Sequence, residues 1–77
     1  MGELDRVRWH CRRGLLELDI VLERFNGRHL AALAPDALRR YQELLELADN
    51  DLFDMIMRRS DAPAPEYDDI VALLRAA

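Results

Sequence analysis

Seventy-seven residues are enough for one helical domain spanning 1–77, near the lower limit of what folds without disulfide or metal staples, and too few for an enzyme with its own cleft. The single cysteine, Cys11, excludes an internal disulfide and suits a reducing compartment. The net charge of −4 hides a basic run: Arg6, Arg8, Arg12 and Arg13 sit together without an acid among them, so the remainder carries −8.

The chain opens MGELDRVR, which lacks the apolar stretch of a secretory leader, and no segment approaches the ~20 apolar residues of a membrane span. A cytoplasmic protein without membrane insertion is expected. From there Leu4, Val7, Cys11, Leu15, Leu18, Leu22 and Phe25 recur at steps of three or four, the spacing of one buried helix face. Gly14 interrupts this run, and a glycine inside a helix costs about 1 kcal/mol relative to alanine. One long helix remains an option. The favoured reading is two short helices, roughly 3 to 13 and 15 to 25, because glycine ends helices and Arg12 and Arg13 suit the negative end of a helix dipole. The stretch FNGRH then predicts a turn, with Asn26 and Gly27 in positive-φ conformations.

The second half is plainer. PDALRRYQELLELA puts Ala37, Leu38, Tyr41, Leu44, Leu45 and Ala48 on one helical face, with Pro35 at the first position. DNDLFDMIMRR predicts a helix capped by Asp49 or Asn50, with Asp51 and Asp54 in its first turn and Arg58 and Arg59 in its last. After the break at DAPAP, PEYDDIVALLRAA starts a final helix at Pro65, with Tyr67, Ile70, Val71 and Leu74 facing inward. No strand pattern competes. The fold class is all-α, a small bundle of about five helices.

Chemical motifs are few. Gly2, Gly14 and Gly27 are too scattered to cradle a phosphate. His10, Cys11 and His29 fall short of the four ligands of a zinc site, and Cys11 lies in the apolar phase, where it reads as a structural residue. Neither a catalytic set nor a metal or cofactor site is expected. Arg6 to Arg13 with Trp9 offers a nucleic-acid footprint, but the acidic remainder opposes it. Arg13 and Glu17, four apart, would pair only weakly along a helix, since arginine precedes glutamate. They make better sense as a contact surface. A side-chain-free Gly14 lets a partner's backbone approach, and the flanking charges offer directed hydrogen bonds. A plain cap with a solvated pair is the alternative.

Arg13-Gly14-Leu15-Leu16-Glu17 matches the R-G-x-x-E signature of the FAD assembly factors of succinate dehydrogenase, the SdhE family. Trp9, the Arg12-Arg13 pair, Glu17-Leu18-Asp19, Phe25, Leu44-Leu45-Glu46 and Asp49-Asn50-Asp51-Leu52-Phe53 follow in family-like order, and the similarity spans about residues 5 to 75. Met55 stands where the family pattern leads one to expect tryptophan. The resemblance implies a five-helix bundle that docks on the flavoprotein subunit of succinate dehydrogenase, with the fumarate reductase flavoprotein as a second client. There it would promote covalent attachment of FAD to a client histidine, the FAD belonging to the client. The residues expected to meet the partner are Arg13, Gly14 and Glu17, with Arg12, Trp9, His10 and Asp51 around them. For Asp49 and Asp54, capping and dipole charge are the simpler reading. The same resemblance admits an antitoxin-type regulatory protein that neutralises its partner by binding.

Overall fold

The structure, a computed structural model, describes residues 2–11 and 13–77. Among these it contains five α-helices and no strand: α1 (Glu3–His10), α2 (Leu16–His29), α3 (Pro35–Leu44), α4 (Asp49–Ile56) and α5 (Asp68–Ala76). Two 3₁₀ turns, Leu30–Ala32 and Pro65–Tyr67, lead into α3 and α5. α5 lies across the bundle against α2, α3 and α4. The Cα radius of gyration is 11.4 Å, against about 11.5 Å for a close-packed chain of this length.

One core cluster joins all five helices. Val7 and Cys11 come from the α1 end, Leu18, Leu22 and Phe25 from α2, Tyr41 and Leu44 from α3, Leu52, Met55 and Ile56 from α4, and Ile70, Val71 and Leu74 from α5. The periodicity identified most of these inward residues, but Leu4, Ala37, Leu38 and Tyr67 only border the core, Leu15 and Ala48 are exposed, and Met55 was not among the residues it picked out. Met55 is fully buried, so its flexible thioether fills core space.

The break near Gly14 is present, but α1 ends at His10, before the expected boundary. Gly14 is therefore not the terminating glycine of α1; Cys11 is its C-cap, in a right-handed conformation. The second expectation to fail is the turn at Asn26-Gly27. α2 runs through both residues to His29, and Gly14 is the only glycine with positive φ among the described residues. Tertiary contacts override the local turn preference. The Asn26 side chain is buried and accepts a hydrogen bond from Tyr41 Oη at 2.7 Å, while Phe25 packs on both Tyr41 and His29, with ring centroids 4.5 and 5.3 Å away. Cys11 Sγ lies 3.3 Å from the same Tyr41 hydroxyl. Burial, reinforced by Cys11, raises the Tyr41 pKa well above the usual phenol range, so this interior chain of polar groups is held by a neutral hydroxyl.

Downstream, α3 stops at Leu44 rather than running to Ala48, which instead precedes α4. α4 starts without a side-chain cap from Asp49 or Asn50. Pro65 opens a 3₁₀ turn, and α5 proper begins at Asp68. Arg58 and Arg59 lie beyond the end of α4 and terminate it in a different way from dipole pairing. The Arg59 N–H donates to Asp54 O at 2.8 Å and the Arg58 N–H to Met55 O at 3.2 Å, the paired bonds of a Schellman ending. Arg58 takes the left-handed position, φ 64°, where glycine is normally favoured. An exposed L-residue there carries about 1 kcal/mol of strain. Arg58→Gly should accordingly raise stability by roughly 0.5–1 kcal/mol, measured as a higher urea midpoint with an unchanged m-value.

Candidate functional site

The segment from Cys11 to Leu15 joins α1 to α2 and carries Arg13 and Gly14, two of the expected contact residues. Gly14 adopts φ +79° and is exposed. Among the described residues beyond its chain neighbours, a Cβ built on it meets nothing within 4 Å. Its glycine is thus required by the backbone conformation and not by crowding from the rest of the chain. The space in front of it is open.

Two carboxylates and one guanidinium shape this loop. The Asp19 side chain reaches back from the first turns of α2: Oδ1 accepts from the Arg13 N–H at 2.9 Å and Oδ2 from the Gly14 N–H at 3.2 Å. The Arg13 side chain turns inward and is only 10% exposed. Its Nη1 donates to Leu47 O at 2.9 Å and to Asp49 Oδ1 at 3.1 Å, and its Nη2 donates to Leu45 O. Arg13 does serve the negative end of a helix dipole, but that of α3, since Leu45 is the C-cap of α3. The Arg13–Glu17 pair allowed by the spacing is absent among the described residues. α2 begins only at Leu16, and the arginine is committed to Asp49. Asp49 does not cap α4, since it is the first helical residue and Ala48 holds the cap position.

The remaining expected contact residues are placed as follows. Glu17 is exposed in the first turn of α2. Trp9, 72% exposed, and His10 lie on the last turn of α1. Arg12 lies outside the described residues. Asp51 is exposed in the first turn of α4, two positions from the residue that Arg13 holds, so the Arg13 staple sets the Gly14 loop beside the N-terminus of α4. The half-buried Asp54 lies 3.5 Å from Arg59, a solvent-accessible pair of little energetic consequence.

Sequence reasoning missed three members of this surface. Leu16, 72% exposed, and Ile20 are large apolar side chains one turn apart on the outer face of α2. They fall outside the three-and-four phase of the core residues, which was the available signal. Asp19 was read only as part of a family-like string. A cleft of about 710 Å³ runs beside the loop, with Arg8, Cys11, Gly14, Asp19, Glu23 and Gly27 among its lining residues. The arrangement suits recognition. An open backbone position is flanked by exposed apolar side chains and an exposed carboxylate, and it stands on a loop pinned from beneath. No helix among the described residues is long and apolar enough to cross a membrane.

The sequence model of the family described as flavinator of succinate dehydrogenase (Sdh5) matches residues 5–77. The FAD assembly factor SdhE of Ralstonia nicotianae is 41% identical over 75 residues, covering 92% of this chain and 79% of the relative. The proteins of the same name from Pseudomonas putida and Pseudomonas aeruginosa are 36% and 38% identical, covering 94% and 95% of this chain and 86% and 83% of theirs. A single family thus accounts for nearly the whole chain, helices and Gly14 loop together. The chain belongs to the succinate dehydrogenase flavinators, a family of FAD assembly factors and not of enzymes.

Proposed function

We propose that this protein docks on the flavoprotein subunit of succinate dehydrogenase and promotes covalent attachment of FAD to that subunit. The observation that carries the reading is the exposed, positive-φ Gly14, where a Cβ would meet no described residue beyond its chain neighbours within 4 Å, inside the R-G-x-x-E string. In this reading Gly14, Glu17, Trp9, His10, Arg12 and Asp51 meet the client, joined by Leu16 and Ile20. Arg13 contributes from within by holding the loop in shape. The flavin and the histidine that bonds it belong to the client, and the assembly factor supplies geometry. Holding two reacting groups in line lowers a barrier by several kcal/mol without new chemistry. The fumarate reductase flavoprotein is proposed as a second client. A cytoplasmic setting agrees with the free, buried Cys11 thiol. Inward-facing Arg13 leaves the basic run with less to offer a phosphate backbone, which favours a protein client over a nucleic acid.

The test is to express the flavoprotein subunit with and without this chain, purify it, and measure its acid-stable flavin fluorescence. The expected result is co-purification of the two chains and a rise in covalent flavin. Equal flavin in both preparations would overturn the reading.

A further inference from the structure

The Gly14 loop spans two helices that meet without a continuous backbone hydrogen-bond ladder, so its shape must be fixed by side chains. On the α2 side one residue does this. Asp19 lies in the first turns of α2, with its own N–H bonded to Leu15 O at 2.9 Å. Its carboxylate turns back over the helix start and takes up two successive main-chain donors, those of Arg13 and Gly14, one on each oxygen. Both belong to the R-G-x-x-E string, and Asp19 lies just beyond it. Asp19 also lines the cleft beside the loop. A carboxylate accepting two N–H groups with separate oxygens fixes the orientation of two consecutive peptide planes. It thereby sets which way the open side of Gly14 points.

We propose that Asp19 is the positioning residue of the docking loop: its carboxylate holds the Arg13 and Gly14 amides so that the bare face of Gly14 is presented to the client flavoprotein. This rests on the reading that the Gly14 loop is the docking surface. Asp19 need not touch the client to act. It raises the fraction of molecules whose loop is already in the binding shape, and apparent affinity falls in proportion when that fraction drops.

Two variants separate positioning from general support of the fold. Asp19→Asn keeps the shape of the side chain but has one acceptor oxygen, so one of the two N–H groups loses its partner and faces an amide donor. Asp19→Ala removes both bonds. Exchange of the Arg13 and Gly14 amides, followed by NMR, should speed up about tenfold in Asp19→Asn, the size expected for losing a hydrogen bond to a charged group, and further in Asp19→Ala. The concentration of assembly factor giving half-maximal flavin attachment should rise by the same factor, while the plateau at saturation and the far-UV helix signal stay at wild-type values. Unchanged amide exchange in both variants would overturn the proposal. So would a lowered plateau accompanied by loss of helix signal, which marks a structural role alone. If the wild-type chain itself left client flavin unchanged, the docking reading would fall, whereas the amide exchange rates would still decide whether Asp19 holds the loop.

Discussion

Gly14→Arg should reduce covalent flavin in the client at least about tenfold, a loss of more than 1.4 kcal/mol of productive interaction, while the chain stays folded. The fold is expected to survive because Gly14 is exposed and a Cβ there meets no described residue beyond its chain neighbours; the intramolecular cost is the backbone strain of a side chain at φ +79°, about 1–2 kcal/mol. A domain of this size has roughly 4–12 kcal/mol to lose. Gly14→Ala separates the two contributions, since it carries the same strain with almost no bulk. It should retain most flavinylation and melt close to Gly14→Arg, with both about 5–15 °C below wild type. Circular dichroism melts read alongside client flavin decide the matter. If alanine abolished flavinylation as completely as arginine, strain and not contact would be the cause, and the surface reading would be lost.

The largest stability effect is expected at Arg13. Arg13→Ala should lower the melting temperature by about 10–20 °C, corresponding to about 2–4 kcal/mol for a chain of this length. The guanidinium serves three acceptors, Leu45 O, Leu47 O and Asp49, from a nearly buried position. Of these, Asp49 counts for least, because its side chain is 41% exposed and water replaces the lost partner there. The two carbonyls past the end of α3 have no such easy substitute. Arg13→Lys should recover only a small part, since one ammonium on a flexible stem cannot span three acceptors as the planar fork does. Differential scanning calorimetry of the three proteins checks this directly. A midpoint for Arg13→Ala within a few degrees of wild type would show that the staple carries little weight.

What could be read from the residues followed a physical divide. The inward faces of α3 and α5 were legible because each repeats apolar residues at helical spacing behind a local start signal. Val7, Cys11, Leu18, Leu22 and Phe25 were legible for the same reason. The break before α2 was visible through Gly14, although its cause was misjudged. The glycine satisfies a left-handed loop position and not the end of α1. What could not be read depends on partners distant in the chain. Asn26-Gly27 resembles a turn until Tyr41, fifteen residues later, supplies the bond that keeps Asn26 buried inside a helix. Arg13 resembles an exposed contact residue until its acceptors, 32 to 36 residues away, draw it inward. The reach of Asp19 over the start of α2 spans five and six residues, outside the familiar capping patterns. The outward pair Leu16 and Ile20 was legible in principle, as hydrophobic residues that break the phase of their own helix.

On the proposed docking mode, the Arg13 staple also couples recognition to melting. A client that grips the Gly14 loop restrains, through one guanidinium, the corner where α3 hands over to α4, and so opposes unfolding of the second half of the chain as well as the first. By mass action the complex must be harder to denature than the free protein, by RT ln(1 + [client]/Kd), or about 2.7 kcal/mol at a hundredfold excess over Kd. For a bundle with so thin an interior, the client is then a source of thermal protection in its own right.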